Sequence, residues 1–314
     1  MTPAPDADLI VIGAGPAGMA AATTAAQAGL SVIVLDMQPA PGGQIWRHHE
    51  ANRADPEAAG LLAALGPAYA QGAAVIARFR ATPGIDYRPL TTVWELRSDG
   101  TVGWLSAGRA GYLRGRRVIL ASGAMERATP FPGWTLPGVM TAGAVQTLLK
   151  AGHLLPGGRV VMAGTGPLLF LLARQLLTLG VRPELIAFTH RRRDAVSGLS
   201  RLRPGALGPV LKGAGWALAL RRAGLPMAQG VTGLEAHGTA SLEEVRLLAG
   251  GKPMRIATDL LVVHDGITPA MDLAHGAGLA LDWRPDLHGW LPRTDPEGRA
   301  TLPEPIRTWS APDR

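Results

Sequence analysis

The chain contains no cysteine. Disulfides, a Cys-x-x-Cys redox pair, thiolate zinc sites and iron–sulfur ligation are therefore excluded within its 314 residues. Disulfide reduction by a protein dithiol is excluded with them. No G-x-S-x-G nucleophile elbow is present either. Histidines at metal-ligand spacing are missing too: His48 and His49 are adjacent, adjacent side chains seldom share one ion, and the pair reads as surface loop histidines. Aromatic residues make up only 5% and charged residues 18%, against 47% hydrophobic, which fits a packed α/β protein rather than a disordered chain.

Residues 9–35 carry no charge, yet they are not a membrane span. A spanning helix needs about 20 continuous apolar residues. This run is interrupted by Gly13, Gly15, Pro16, Gly18 and Gly29, and it follows an acidic "MTPAPDAD" rather than the basic start of a secretory signal. A soluble, cytoplasmic protein is the expectation.

What is present is basic charge. The net charge is +7 and the isoelectric point about 10.6. Between residues 190 and 224 lie Arg191, Arg192, Arg193, Arg201, Arg203, Lys212, Arg221 and Arg222, against Asp194 alone. Eight minus one equals the whole excess of +7. An anionic ligand or a partner surface is one reading and a solvated face the other. No aromatic interleaving accompanies the charge, so nucleic acid is not the expected partner.

The uncharged run reads as strand, turn, helix, turn, strand. Residues 9–12 form a buried-strand run that enters Gly13-x-Gly15-x-x-Gly18. Gly13 permits the tight turn, Gly15 lets the backbone approach a pyrophosphate, and Gly18 lets the helix pack close to the strand. Pro16 stands at the first helical position, where its missing N–H costs nothing. A helix over 17–28 presents free N–H groups to phosphate. A second strand over 31–35 ends at Asp36, a carboxylate placed to accept ribose hydroxyls. Beyond it, Gly42-Gly43-Gln44 makes a second flexible loop, suited to closing over a long cofactor. A strand over 118–120 exits into the small residues Ala121, Ser122 and Gly123, which let a chain pass close to a cofactor.

Residues 157–180 repeat the pattern with changes. A strand over 159–163 enters Gly164-x-Gly166-x-x-Leu169, and a very apolar helix over 168–179 stops at Gly180. Leu169 in place of the third glycine should hold the helix further from the strand or bend the packing. No acid stands near Thr189 or His190.

Together, "DLIVIGAGPAGMAAA", "VLDMQPAPGGQIWR", "VILASGAMERATPFPGWTLPGVMTAGAVQTLLKAG" and "VVMAGTGPLL" resemble the flavoproteins with two dinucleotide folds. More narrowly they are similar to the α or A-type subunits of bacterial amino-acid and opine dehydrogenases. The resemblance covers residues 8–303, and "PGGQI" and "ASGAMERATPFPGW" are its most specific parts. It implies an α/β fold with two Rossmann-like domains, the second inserted into the first: 1–130 with 259–314 for FAD, and 131–258 for the nicotinamide-like fold. It implies FAD on Gly13, Gly15, Pro16, Ala17, Gly18, Asp36, Gly43, Gln44, Val93, Ala121, Ser122 and Gly123. Glu126 and Arg127, near the cofactor loop, read as structural, and no catalytic acid or base is assigned. A separate flavoprotein β subunit is the implied partner, and an amine or opine the substrate of the complex.

Two readings of the second fold stay open. "HRRR" is similar to the segment with which thioredoxin reductase-like enzymes read the NADP 2′-phosphate, which would engage Gly164, Gly166, His190, Arg191 and Arg192. Alternatively the fold is unused for nicotinamide and the arginines face solvent or a partner. A non-catalytic nucleotide-binding fragment is a third reading of the chain. "GRATLP" resembles the hairpin that leads, in the family, to a Gly-Asp pair on the cofactor. Here Pro303 is followed by Glu304-Pro305-Ile306-Arg307, so the flavin half is expected to lack one wall.

Overall fold

Four-residue aliphatic runs, each stopped by glycine or a polar turn, supply the central strands. The computed structural model describes residues 4–190, 207–285 and 287–300. These fall into two compact units. The first holds residues up to Ala51, Ala68–Met125 and those from Thr268 onward. The second holds Asn52–Pro67 and Glu126–Ile267.

In the first unit, β1 (Ala7–Ile12), β2 (Val32–Leu35), β3 (Ile85–Arg88), β4 (Thr92–Leu96), β5 (Thr101–Ser106) and β6 (Arg109–Leu120) form one sheet, in the order β3-β2-β1-β6-β5-β4. Leu9–Ile12 run in parallel register with Val32–Leu35. All four residues of β2 are buried, as expected where both faces of a parallel sheet are covered. The helix Pro16–Gln27 follows β1 and ends before Gly29, whose φ of +82° suits glycine. β6 is far longer than the apolar run at 118–120. Its first half pairs antiparallel with β5, and its second half pairs parallel with β1. Arg114, Arg116 and Arg117 interrupt the apolar pattern, which hides this length from the sequence.

β7 (Ala124–Glu126) pairs with β16 (Ile267–Pro269). In the second unit, β8 (Val139–Thr141), β9 (Val160–Gly164), β10 (Leu185–Phe188), β11 (Met227–Gln229) and β15 (Leu260–His264) make a parallel sheet in the order β11-β10-β9-β15-β8. β12 (Thr232–His237), β13 (Glu244–Ala249) and β14 (Lys252–Ala257) form an antiparallel sheet of their own. The helix Pro167–Thr178 buries Leu169, Leu172, Ala173 and Leu176, the i, i+3, i+4, i+7 stripe of a core-facing helix. β17 (Leu281–Arg284) and β18 (Gly289–Pro292) close a hairpin in the first unit.

The units differ from the expected domains in three places, one of them residues 126–130, expected with the first domain and grouped with the second. Residues 259–265, expected to begin the return to the first domain, form β15 in the middle of the second sheet. Its Leu260–Val263 run is apolar enough to be covered on both faces. Residues 52–67, expected with the first domain, group with the second. There Asn52 Nδ2 donates to the Lys150 carbonyl at 2.9 Å, and Asn52 Oδ1 bonds His153 Nε2 at 2.9 Å. Among the described residues, no single helix is long and apolar enough to cross a membrane.

Candidate functional site

Three loops meet at the carboxyl ends of β1, β2 and β6. Gly13, Asp36 and Ala121 each directly follow the last residue of their strand. The sheet order reverses between β1 and β6, which is where open α/β sheets form a ligand crevice. The Gly13 N–H donates to the Leu35 carbonyl at 2.8 Å, and the Ala121 N–H to the Ile12 carbonyl at 2.9 Å.

The glycines have distinct reasons. Gly13 has φ +101°, and a Cβ there would stand 2.4 Å from the Ala121 carbonyl oxygen. A Cβ on Gly18 would stand 1.9 Å from the Gly13 oxygen, so only glycine lets the helix approach this closely. Gly15 is different: its backbone is extended, with φ −72°, and a Cβ would meet only Gly43 Cα, at 3.9 Å. Gly15 caps the helix with no side-chain acceptor, Pro16 occupies the first turn, and Ala17 is exposed beside it. The uncapped N–H groups leave this end of the helix with donors suited to an anion.

The second glycine loop rests on the first. The Gly42 N–H donates to the Ala14 carbonyl at 2.8 Å. Gly43 has φ +57°, and its Cβ would stand 2.8 Å from Gly15 Cα. Gln44 is exposed, and its Oε1 accepts from Arg47 Nε and Nη2 at 3.2 and 3.0 Å. Arg47 Nη1 also donates to Gln38 Oε1 at 2.6 Å.

Asp36 is 6% exposed. Burial pushes its carboxyl above the ordinary range, against the Gln38 N–H at 3.2 Å, the Tyr87 hydroxyl at 3.5 Å and the nearby Arg47 charge. Burial, and then the Asp36 charge, hold the Tyr87 hydroxyl well above its ordinary value. The Thr91 N–H donates to the Asp36 carbonyl and the Leu90 N–H to that of Gln38, at 2.8 and 3.1 Å. Those bonds lay residues 90–93 alongside the acid, and half-buried Val93 packs on the core that contains Ile33 and Leu35. Ser122 Oγ donates to the Ala270 carbonyl at 3.0 Å, and the Ala270 N–H to the Gly123 carbonyl at 3.0 Å. Gln38, Arg47 and Tyr87 carry no signal in the sequence. Only the folded sheet brings Tyr87, on β3, next to Asp36.

The second unit's loop takes another path. Gly164 has φ +132° and a Cβ would stand 1.9 Å from the His264 carbonyl oxygen. Gly166 has φ +93° where Gly15 is extended. Leu169, expected to hold the helix off, is fully buried in the core with Leu172 and Met162. His190 follows the end of β10, its ring 5.3 Å from that of Phe188 and its carbonyl accepting the Gly230 N–H at 3.0 Å. Arg191 and Arg192, most of the basic run and residues 301–314 lie outside the described residues. Glu126 lies in the second unit, bonded to His264 Nδ1 and the Gly143 N–H, and the Arg127 N–H donates to the Gly266 carbonyl at 3.0 Å.

Two features depart from the sequence reading or escaped it. His49 is not a surface histidine: it is 2% exposed and lies 5.0 Å, ring to ring, from Tyr69. A groove of about 690 Å³ in the first unit runs between the β17–β18 hairpin and the short helix Asp272–Gly276. Half-exposed Trp283 and Trp290 pair edge to face at 5.5 Å on its wall. Two tryptophans so close in so aromatic-poor a chain were its available signal.

The geometry has counterparts. Residues 7–303 match the family described as pyridine nucleotide-disulphide oxidoreductase. The A-type subunit of opine oxidase from Agrobacterium tumefaciens (strain Ach5) is 40% identical over 304 residues, covering 94% of this chain and 59% of the relative. Hydrogen cyanide synthase subunit HcnB of Pseudomonas aeruginosa is 33% identical, covering 86% of this chain and 59% of the relative. The chain thus spans about three fifths of these relatives' length. The thioredoxin reductase of T. acidophilum shares the fold, with TM-score 0.64 at 17% identity, covering 95% of this chain and 87% of that one. The chain belongs to the pyridine nucleotide-disulphide oxidoreductase family, whose members bind FAD and NAD(P)H.

Proposed function

We propose that the chain is a nucleotide-binding subunit of an FAD-dependent oxidoreductase of the amino-acid or opine dehydrogenase type. It would work beside a separate flavoprotein subunit that oxidises an amine or opine. One observation carries the reading: a buried carboxylate, Asp36, ends β2 beside a glycine loop whose helix has an uncapped N-terminus. The ADP half of FAD fits that donor set. Its pyrophosphate would meet Gly13, Gly15, Pro16, Ala17 and Gly18, and its ribose Asp36. Gly43, Gln44 and Val93 would line the adenosine side, and Ala121, Ser122 and Gly123 the path toward the flavin. When bound, FAD supplies the hydride or electron transfer. The chain's own residues bind and orient it, and no residue is assigned as catalytic acid or base.

The second reading is a reductase fed by NADPH, favoured by the glycine loop that ends β9 next to β10 and His190. The absorbance spectrum of purified, FAD-treated protein separates the cases. A retained flavin bleached by proline, hydroxyproline or an opine, in the presence of the copurifying partner, supports the first. Bleaching by NADPH alone supports the second. A colourless protein that takes up no FAD contradicts both.

A further inference from the structure

We propose that the groove between the β17–β18 hairpin and the helix Asp272–Gly276 binds an organic cation: a substituted ammonium group that carries an apolar or aromatic arm and no carboxylate. The inference concerns the first unit alone. It goes beyond the flavin reading and does not rest on it.

The hairpin register sets Trp283 opposite Trp290 and Leu281 opposite Pro292, so these four side chains share one face. The two indoles meet edge to face with centroids 5.5 Å apart, and both are half exposed. Such a cross-strand pair staples a hairpin. Stapling accounts for the contact between the rings, but not for what else lines the same groove. Leu281, buried Leu279, Met125 and Met271 give it an apolar lining. A Cβ on buried Gly289 would stand 3.5 Å from Thr268 Oγ1 and 3.6 Å from Pro269 Cδ, so the hairpin packs directly against β16 at the base. The volume of about 690 Å³ falls within the range of small-molecule sites, roughly 300–1,000 Å³.

The charge in the groove is one-sided. Asp272 lines it, and among the described residues that carboxylate has no ion pair and no side-chain hydrogen bond. No Lys or Arg lines the groove, although the chain carries 31 of them and a net charge of +7. His275 and His288 complete the titratable lining and supply no negative charge. The face of an indole carries the negative end of the ring's quadrupole and attracts a cation more strongly than other aromatic rings do. Two indoles and an unpaired carboxylate therefore favour a cation, on a protein that is otherwise basic. The apolar lining rewards a cation with an apolar arm over a hydrated metal ion or bare ammonium. A carboxylate on the ligand would meet Asp272, so the occupant is a net cation rather than an amino acid or a nucleotide.

The test uses the full chain incubated with FAD, with tryptophan indole nitrogens labelled with ¹⁵N and benzyltrimethylammonium as the probe. Trp283→Phe and Trp290→Phe identify the two resonances among the eight. The probe should shift both saturably. Phenylacetate should shift neither, and benzyl alcohol should bind about fivefold more weakly or worse. Trp290→Leu should weaken binding of the cation, read by calorimetry, about fivefold or more, the worth of a cation over an indole face. Asp272→Asn should weaken it about fivefold and remove most of its salt dependence. Indoles unmoved by millimolar probe overturn the proposal. So does equal binding of the cation, the alcohol and phenylacetate, which marks a groove selective for apolar surface alone. Trp283 and Trp290 resonances that shift on dilution without the probe mark a second copy of the chain as the occupant, and overturn it too. Should a variant fail to fold, the three wild-type titrations decide. A protein that retains no flavin overturns the flavin reading and leaves these titrations readable.

Discussion

Gly43 and Gly15 lie in backbone contact, close enough that a methyl group on Gly43 would stand 2.8 Å from Gly15 Cα. The Gly42-Gly43 loop thus braces the Gly13–Gly18 loop, the proposed phosphate site. Gly43→Ala adds that overlap to a left-handed φ of +57°, itself worth about 1 kcal/mol for a residue with a Cβ. The variant should retain FAD at least tenfold less tightly, with a melting temperature a few degrees lower. Equilibrium dialysis and a thermal scan check both.

Gly18 and Gly15 should separate folding from binding. A Cβ on Gly18 lands 1.9 Å from a backbone oxygen, whereas one on Gly15 meets only Gly43 Cα at 3.9 Å. Gly18→Ala should destabilise by about 3 kcal/mol or more, because helix and strand must part. Gly15→Ala should melt within a degree or two of the parent yet bind ADP more weakly, since its methyl borders the pyrophosphate's route. Equal melting temperatures for the two variants would contradict this account of the loop.

Asp36 predicts a pH dependence with a definite sign. It must be ionised to accept ribose hydroxyls, and burial raises its pKa above the ordinary 3.8. ADP affinity should therefore begin to fall on acidification while exposed carboxylates are still charged. Asp36→Asn should bind weakly and lose that part of the pH profile. For the free protein the linkage runs the other way. A raised folded pKa means that the proton favours the folded state, so this group's contribution to stability diminishes as pH rises through the folded pKa.

The Arg159–Asp259 pair predicts the opposite sign. Asp259 accepts the Arg159 guanidinium at 2.8 and 3.0 Å and the Arg159 backbone N–H at 2.7 Å, which hold its carboxyl well below the ordinary range. Its stabilisation is present above the unfolded value of 3.8 and is lost as pH falls toward the depressed folded one. The melting-temperature gap between the parent and Asp259→Asn should narrow on acidification through that window and stay flat from about pH 6 to 8. Both side chains are about half exposed, so added salt should shrink the gap as well.

The first strand–helix–strand unit was readable because every signal in it is local. Apolar runs, glycines and Asp36 succeed one another within about 30 residues, and the structure moves their bounds by only one or two positions. What stayed hidden depends on contacts between distant residues. Asp36 gains the Tyr87 hydroxyl as a partner from a strand 51 residues away. Glu126 and His264 are 138 residues apart, and nothing in "GAMERA" or "VVHD" announces that they meet. Residues 52–67 carry no pattern that assigns them to either unit; in the structure Asn52 bonds Lys150 and His153 of the second. Leu169, read as holding its helix off the strand or bending the packing, turns its side chain into the core, and the loop's Gly166 takes a left-handed φ.

The most direct test of the central claim is the flavin stoichiometry of the full chain. Purified protein would be incubated with excess FAD and desalted, and its flavin absorbance read against protein concentration, with Asp36→Ala alongside. About one FAD retained per chain, displaced by excess ADP and largely lost in the Asp36 variant, is the predicted result. No retained flavin, or retention indifferent to both ADP and Asp36, would contradict it.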